Sequence, residues 1–332
     1  RISVATAGND HRLGANEAPP AVLSMFVGDE ISSVLDAIES GTAYDRKEQS
    51  LLRVGVHVLP KFPQDTTDRN RTSPFAFTGN KFEFRMLGSA STISSANIVL
   101  NTVVAESLKS YADRLENVDN FEETLNSLIK KTIKDHKRII FNGNGYGEDW
   151  LKEADARGLV NLKTTPDALN TMLSDKNIDL FESQKVFTKN ELEARYEIYM
   201  ENYCKTINIE GLTASEMIRR DILPAISQYI GVLSETINAR NDAVDYNKPF
   251  YESKIIERLT EISNNVYELT VKLDEKLQTA KEVNNIKDKA EVYKSAVVSL
   301  MKKIRVLVDE AETITATKYW PYPSYGKMLF GI

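Results

Sequence analysis

Apolar positions along the chain change period twice, from helical spacing to alternation and back. Over residues 20–40, Val22, Leu23, Phe26, Ile31, Val34, Leu35 and Ile38 recur at helical spacing, and Gly41 is placed to cap the end. Residues 52–59 alternate, with Val54, Val56 and Val58 on one face, which predicts a strand. A loop rich in Pro, Asp, Thr, Asn and Arg fills residues 61–74. Alternation then returns between Lys81 and Arg85, with Phe82 and Phe84 on one face and Lys81, Glu83 and Arg85 on the other. The turn pair Gly79-Asn80 interrupts this strand region, residues 75–87. A Gly/Ser/Thr-rich stretch leads into a helix predicted over residues 94–115, with Val99, Val103 and Leu108 on its apolar side.

From Phe121 onward the pattern is helical almost throughout. The segment Asn142-Gly143-Asn144-Gly145-Tyr146-Gly147 breaks it. Neither a following Lys-Ser/Thr pair nor G-x-G-x-x-G spacing is present, so it reads as a turn linking helices rather than a phosphate cradle. Thr188, with Glu191 three residues on, opens another helix through a capping box. Three seams with alternating four- and three-residue spacing follow. One begins at Ile222, Ala225, Tyr229 and Val232. The second runs Ile255, Leu259, Ile262, Val266, Leu269, Leu273, and the third runs Tyr293, Val297, Leu300, Ile304, Leu307, Ala311, Ile314. Such narrow stripes suit antiparallel helix packing and predict a long three-helix bundle with corners at residues 242–249 and 282–285. Lys272, Lys276, Glu291 and Lys294 should face solvent. The tail Tyr319-Trp320-Pro321-Tyr322-Pro323 is read as packing onto its own protein. The fold class is therefore α+β, with a catalytic-type part over residues 1–205 and a helical bundle with an aromatic tail over residues 206–332.

Composition narrows the function. With 332 residues and 42% hydrophobic residues the chain suffices for about two domains. Its net charge of −6 leaves no basic footprint for nucleic acid. No apolar run approaches the roughly 20 residues that span a bilayer. The single Cys204 is compatible with a reducing cytoplasm and reads as a packing residue, since neither neighbouring sequence nor a nearby His would activate it. His57 and His136 have no second ligand at metal spacing and read as structural. The chain opens at Arg1, which we read as the start of the C-terminal part of a longer protein.

A carboxylate between two cations on one strand face suits a metal ion held beside phosphoryl oxygens; alone, it is also what a solvated amphipathic strand looks like. Two neighbouring segments alter the balance. Asp68-Arg69-Asn70-Arg71-Thr72-Ser73 lies upstream, and Gly8-Asn9-Asp10-His11-Arg12-Leu13-Gly14-Ala15-Asn16-Glu17-Ala18-Pro19-Pro20 opens the chain. Together, and in this order, the three segments resemble glutamine synthetase, most closely its type III branch. The first resembles the substrate arginine followed by the flap loop, the second the phosphate-site segment and the third the metal and phosphate strand. A weaker likeness continues through Thr164-Thr165-Pro166-Asp167-Ala168-Leu169 and Val186-Phe187-Thr188.

The resemblance implies an ATP-dependent glutamate–ammonia ligase working through a γ-glutamyl phosphate. It implies Glu83 as a ligand of Mg2+ or Mn2+, Arg85 at the transferred phosphoryl group and the substrate, and Arg71 at the phosphate charge of the transition state. Lys81 and Arg69 would contact ATP phosphates, Arg12 would clamp a glutamate carboxylate, and Glu17 would be the flap carboxylate that receives ammonium. It also implies a homo-oligomer, a dodecamer of two hexameric rings, in the cytoplasm. Two features depart from the family. A second arginine after Asn-Arg-Ser is replaced by Thr72-Ser73-Pro74-Phe75-Ala76-Phe77, and the flap is one residue shorter than in the common bacterial form. The other metal carboxylates and the metal histidine precede this segment in the family, so the chain alone is expected to be inactive. A γ-glutamyl-amine ligase of the same fold, or a non-catalytic helical assembly or regulatory module, are the alternatives.

Overall fold

A computed structural model describes residues 21–44, 51–52, 62–63, 72–86, 88, 92–244 and 249–331. The chain divides into two units, Arg1–Tyr199 and Met200–Ile332, with the division falling inside one long helix.

The first unit is built on a small sheet of three short strands in the order β1 (Met25–Phe26), β4 (Phe75–Phe77), β5 (Phe82–Phe84). β1 runs parallel to β4, and β4 and β5 form an antiparallel hairpin pairing Phe75 with Phe84, Ala76 with Glu83 and Phe77 with Phe82. A second pair, β2 (Leu51–Leu52) and β3 (Phe62–Pro63), is antiparallel. The predicted strand over residues 52–59 otherwise lies outside the described residues.

The hairpin forms where the alternation and Gly79-Asn80 put it. Gly79 sits at φ +97°, a left-handed conformation that a side chain would oppose, and the Thr78 amide closes the turn on the Lys81 carbonyl at 2.9 Å.

Helix α1 covers Gly28–Ser40, not residues 20–40. Val22, Leu23 and Phe26 mimic helical spacing, but Met25 and Phe26 pair with β4, and Gly28 at φ +82° resets the backbone at the first position of the helix. Its end is as read: Gly41 at φ +73° closes on the Ala37 carbonyl at 2.9 Å.

Helix α2 (Ser94–Leu115) matches its predicted bounds, but its expected apolar face is not a buried one. Val103 and Leu108 are 44% and 62% exposed, while Ala96 and Thr102 are buried. Helices α3 (Phe121–His136), α4 (Glu148–Ala156), α5 (Thr165–Leu169) and α6 (Asp175–Ser183) follow. Val22, Trp150 and Ala154 form a core, with Phe141 stacked on Trp150 at 3.9 Å. Helix α7 (Lys189–Met217) opens with the expected capping box: the Thr188 amide donates to Glu191 Oε2 at 2.8 Å and the Glu191 amide to Thr188 Oγ1 at 3.3 Å.

The second unit is the helical bundle. Its members are α8 (Leu223–Ala243), α9 (Tyr251–Glu282), α10 (Ile286–Val292) and α11 (Val298–Ile314), with corners where the sequence placed them. Helix α9 packs against both α8 and α11. Along α9 the buried line is Leu259, Ile262, Val266, Thr270, Leu273, Leu277 and Ala280. Thr270 replaces the expected Leu269 and satisfies its hydroxyl on the Val266 carbonyl at 2.7 Å.

Two further expectations are corrected here. Lys294, expected in solvent, is largely covered and pairs with Glu291 at 2.6 Å. Leu300 is half-buried. The turn Tyr293–Val297 is π-helical and carries an extra residue, so Val297 and Val298 both enter the core and Leu300 falls at its edge. Glu252, which no periodicity marks, is buried, and its carboxylate meets Arg240 at 2.6 Å. The tail packs on α8 as read, Tyr319 against Tyr229 at 5.4 Å, with the Tyr322 hydroxyl donating to Asp221 Oδ2 at 3.1 Å.

Candidate functional site

Hairpin geometry decides which side chains of the strand meet. Glu83 lies opposite buried Ala76, and its neighbours two residues away share its face. Lys81 Nζ approaches Glu83 Oε1 at 3.4 Å, and Arg85 Nη2 approaches Oε2 at 3.2 Å. The carboxylate thus stands between two cations, as the alternation predicts. Exposure falls along the three: the Lys81 side chain is 65% exposed, Glu83 38% and Arg85 18%. The Arg85 guanidinium holds the Glu83 carboxyl below its ordinary value of 4.5, against the pull of desolvation and with Lys81 in support.

Glu83 and Arg85 line a cleft of about 740 Å3. Its walls include Ser73, Phe75, Phe82, Glu83, Arg85 and Tyr146, with Ile93, Ala96 and Asn97 from α2. The phenylalanine face is not a closed core, because Phe82 stacks on Phe75 at 5.5 Å and is half exposed to the same cleft. The preceding segment is tied to Arg85, whose amide donates to the Pro74 carbonyl at 2.8 Å and whose Nη1 reaches the Ser73 carbonyl at 3.5 Å.

Of the seven residues singled out in the sequence, the structure brings together Lys81, Glu83 and Arg85. Arg12, Glu17, Arg69 and Arg71 lie outside the described residues. An ionised, half-exposed carboxylate flanked by cations fits one oxygen ligand of a hard divalent ion, with the cations left for phosphoryl oxygens. Among the described residues no three carboxylate, imidazole or thiol groups gather. Cys204 is buried, and burial pushes its thiol up to about 11, which suits packing and not nucleophilic chemistry. A separate apolar pocket between α2, α5, α6 and α7 carries none of the charges that phosphoryl transfer needs apart from Arg195, which lies over the Phe187 ring at 4.2 Å.

The glutamine synthetase C-terminal domain matches residues 124–241. Over its full length the chain is 42% identical to a glutamine synthetase of Butyrivibrio fibrisolvens, covering 47% of that protein. It is 38% identical to a type-3 glutamine synthetase of Dictyostelium discoideum, with 99% of this chain aligned to 46% of that protein. Its likeness throughout is to glutamine synthetases.

A glutamine synthetase of Bacteroides fragilis (strain YCH46) is 34% identical over 99% of this chain and 47% of its own length. The chain spans about half the length of the curated glutamine synthetases it matches. The domain match begins in α3 and ends in α8, downstream of the charged hairpin. No helix among the described residues is long and apolar enough to cross a membrane.

One feature of the site escaped sequence reading. The Asn142–Gly147 turn, read as a linker, makes long-range contacts. Asn142 Oδ1 accepts from the Val27 and Gly28 amides at 3.1 and 3.0 Å, its Nδ2 donates to Ser32 Oγ at 2.7 Å, and Tyr146 lines the cleft. Repeated Asn-Gly pairs signal a turn; nothing in them names its partners.

Proposed function

We propose that this chain supplies the metal- and phosphate-handling strand of an ATP-dependent glutamate–ammonia ligase. The observation that carries the reading is the Glu83 carboxylate held between Lys81 and Arg85 at the mouth of a cleft, in a chain similar to glutamine synthetases.

The reaction phosphorylates the side-chain carboxylate of glutamate and then displaces phosphate with ammonia. Its barrier arises from bringing anions together, so fixed cations supply much of the stabilisation. A Mg2+ or Mn2+ ion bound through Glu83 would add a Lewis acid at the phosphoryl oxygens. Arg85, drawn close to the cleft wall, meets the phosphoryl group in transfer and the substrate, and Lys81 and Arg69 meet the phosphates of ATP. Arg71 offsets charge that grows in the transition state, where a guanidinium can engage two oxygens at once. Arg12 clamps substrate glutamate. Glu17 closes over the site, receives ammonium and shields the acyl phosphate from water. The second unit makes subunit contacts in a cytoplasmic homo-oligomer.

The test is ATP-dependent formation of γ-glutamyl product by the complete polypeptide, with ammonium compared against small primary amines. Ammonium should be the preferred nucleophile, and this chain alone should make no product. A strong preference for a primary amine would assign the protein to γ-glutamyl-amine ligation, and product formation by this chain alone would refute the expectation that it is inactive by itself.

A further inference from the structure

The Asn142–Gly147 turn carries none of the residues assigned to the reaction, yet it grips the backbone on which the proposed phosphoryl site is built. The buried Gly145 donates its amide to the Thr72 carbonyl at 2.9 Å. The next carbonyl, Ser73, receives Arg85 Nη1 at 3.5 Å, the outer limit of a hydrogen bond, and the Pro74 carbonyl receives the Arg85 amide at 2.8 Å. Three successive carbonyls are therefore held, the first by the turn and the other two by Arg85. Arg85 then reaches Glu83 at 3.2 Å.

The turn is itself anchored. Asn142 is fixed to the start of α1, Phe141 is stacked on Trp150 and donates its amide to the Met25 carbonyl at 2.9 Å, and the Tyr146 amide donates to Asn144 Oδ1 at 2.9 Å. A Cβ at Gly145 would overlap the Thr72 carbonyl oxygen, with backbone and not a yielding side chain on the other side of the clash. Any side chain there must displace either the turn or the Thr72–Pro74 backbone.

We infer that Gly145 is a positioning residue for phosphoryl transfer: by holding Thr72 it sets the Ser73 carbonyl, and through it the reach of Arg85 and the orientation of the Glu83 carboxylate. The inference rests on the reading of Glu83 and Arg85 proposed above. Gly145 touches no reacting atom and acts only through Arg85.

A double-mutant cycle in the complete polypeptide tests it, pairing Gly145→Ala with Arg85→Lys. The readouts are Mn2+ affinity by isothermal titration, and kcat and KM for glutamate in ATP-dependent γ-glutamyl hydroxamate formation. Gly145→Ala should lower kcat about 10–100-fold, the scale expected for a small misplacement of a catalytic group, and weaken Mn2+ binding with little change in KM. In the Arg85→Lys background the same change should cost far less, because the route of its effect is already broken. Should Arg85→Lys turn over too slowly to assay, the Mn2+ affinities complete the cycle. Gly231→Ala, whose Cβ would meet nothing within 4 Å, controls for glycine replacement and should leave both readouts unchanged.

If a thermal melt shows that Gly145→Ala does not fold, Asn144→Ala loosens the same turn without overlap and should give the same pattern more mildly. Equal costs in the two Arg85 backgrounds, or unchanged kcat and Mn2+ affinity in a folded Gly145→Ala protein, overturn the inference. Glu83→Ala in the same assays separates the two claims. If it leaves kcat and Mn2+ affinity intact, the reading of the site has failed; if it abolishes them while Gly145→Ala is silent, only the inference has.

Discussion

Glu83 illustrates how a carboxylate is held in its ionised form without being buried. Arg85 and Lys81 stabilise its ionised form more than partial desolvation opposes it, so its pKa falls below 4.5. The sign of the linkage follows. The stabilising contribution of this depressed carboxylate is present above the unfolded value of 4.5 and is lost as pH falls through the lower folded value. We predict an NMR titration midpoint for Glu83 below 4.5, rising when Arg85 is changed to Gln. An unmoved midpoint in that variant would show that Arg85 is not the dominant partner. This much was legible from sequence, because period-two alternation alone puts residues 81, 83 and 85 on one face. The Ser73 and Pro74 carbonyls that orient Arg85 were not, since backbone acceptors leave no mark in residue type.

Among the elements, the start of α1 shows most plainly where sequence reading stops. Val22, Leu23 and Phe26 satisfy a helical template, but a strand partner some fifty residues away and an asparagine 114 residues from Gly28 decide the outcome. The first amides of a helix lack partners within it, and the Asn142 side chain accepts from those of Val27 and Gly28. Asn142→Ala should leave both amides short of an acceptor, costing about 1–3 kcal/mol and lowering the melting temperature by several degrees. A melt unchanged within error would remove Asn142 from the frame of the sheet. By contrast, the β4–β5 hairpin, the bounds of α2 and the Thr188 capping box depend on local chemistry, and each appears as read. The exposed Val103 and Leu108 on α2 mark a different limit: periodicity states that a face is apolar, not that residues of this chain cover it.

At the scale of the whole molecule, each unit answers to its own core, one around Val22, Trp150 and Ala154 and the other along the bundle seams. The bundle was legible because its spacing persists over many turns. Its π-helical turns, Ile218–Ile222 and Tyr293–Val297, were not, because one extra residue per turn is a response to packing and has no local code. The seam position that tests it is accordingly Ile304, which is 4% exposed, rather than half-buried Leu300. Ile304→Asp would bury a charge without a partner and should cost several kcal/mol, seen as loss of helical circular dichroism and of oligomer order. Retention of both would detach the bundle from its proposed role in subunit contacts.

The proposed role of Glu83 is tested most directly by Glu83→Ala in the complete polypeptide, assayed for ATP-dependent γ-glutamyl hydroxamate formation across a Mg2+ series. The ligase reading predicts near-complete loss of turnover with an altered metal dependence and an unchanged melting profile. Wild-type turnover with an unchanged metal dependence would contradict it.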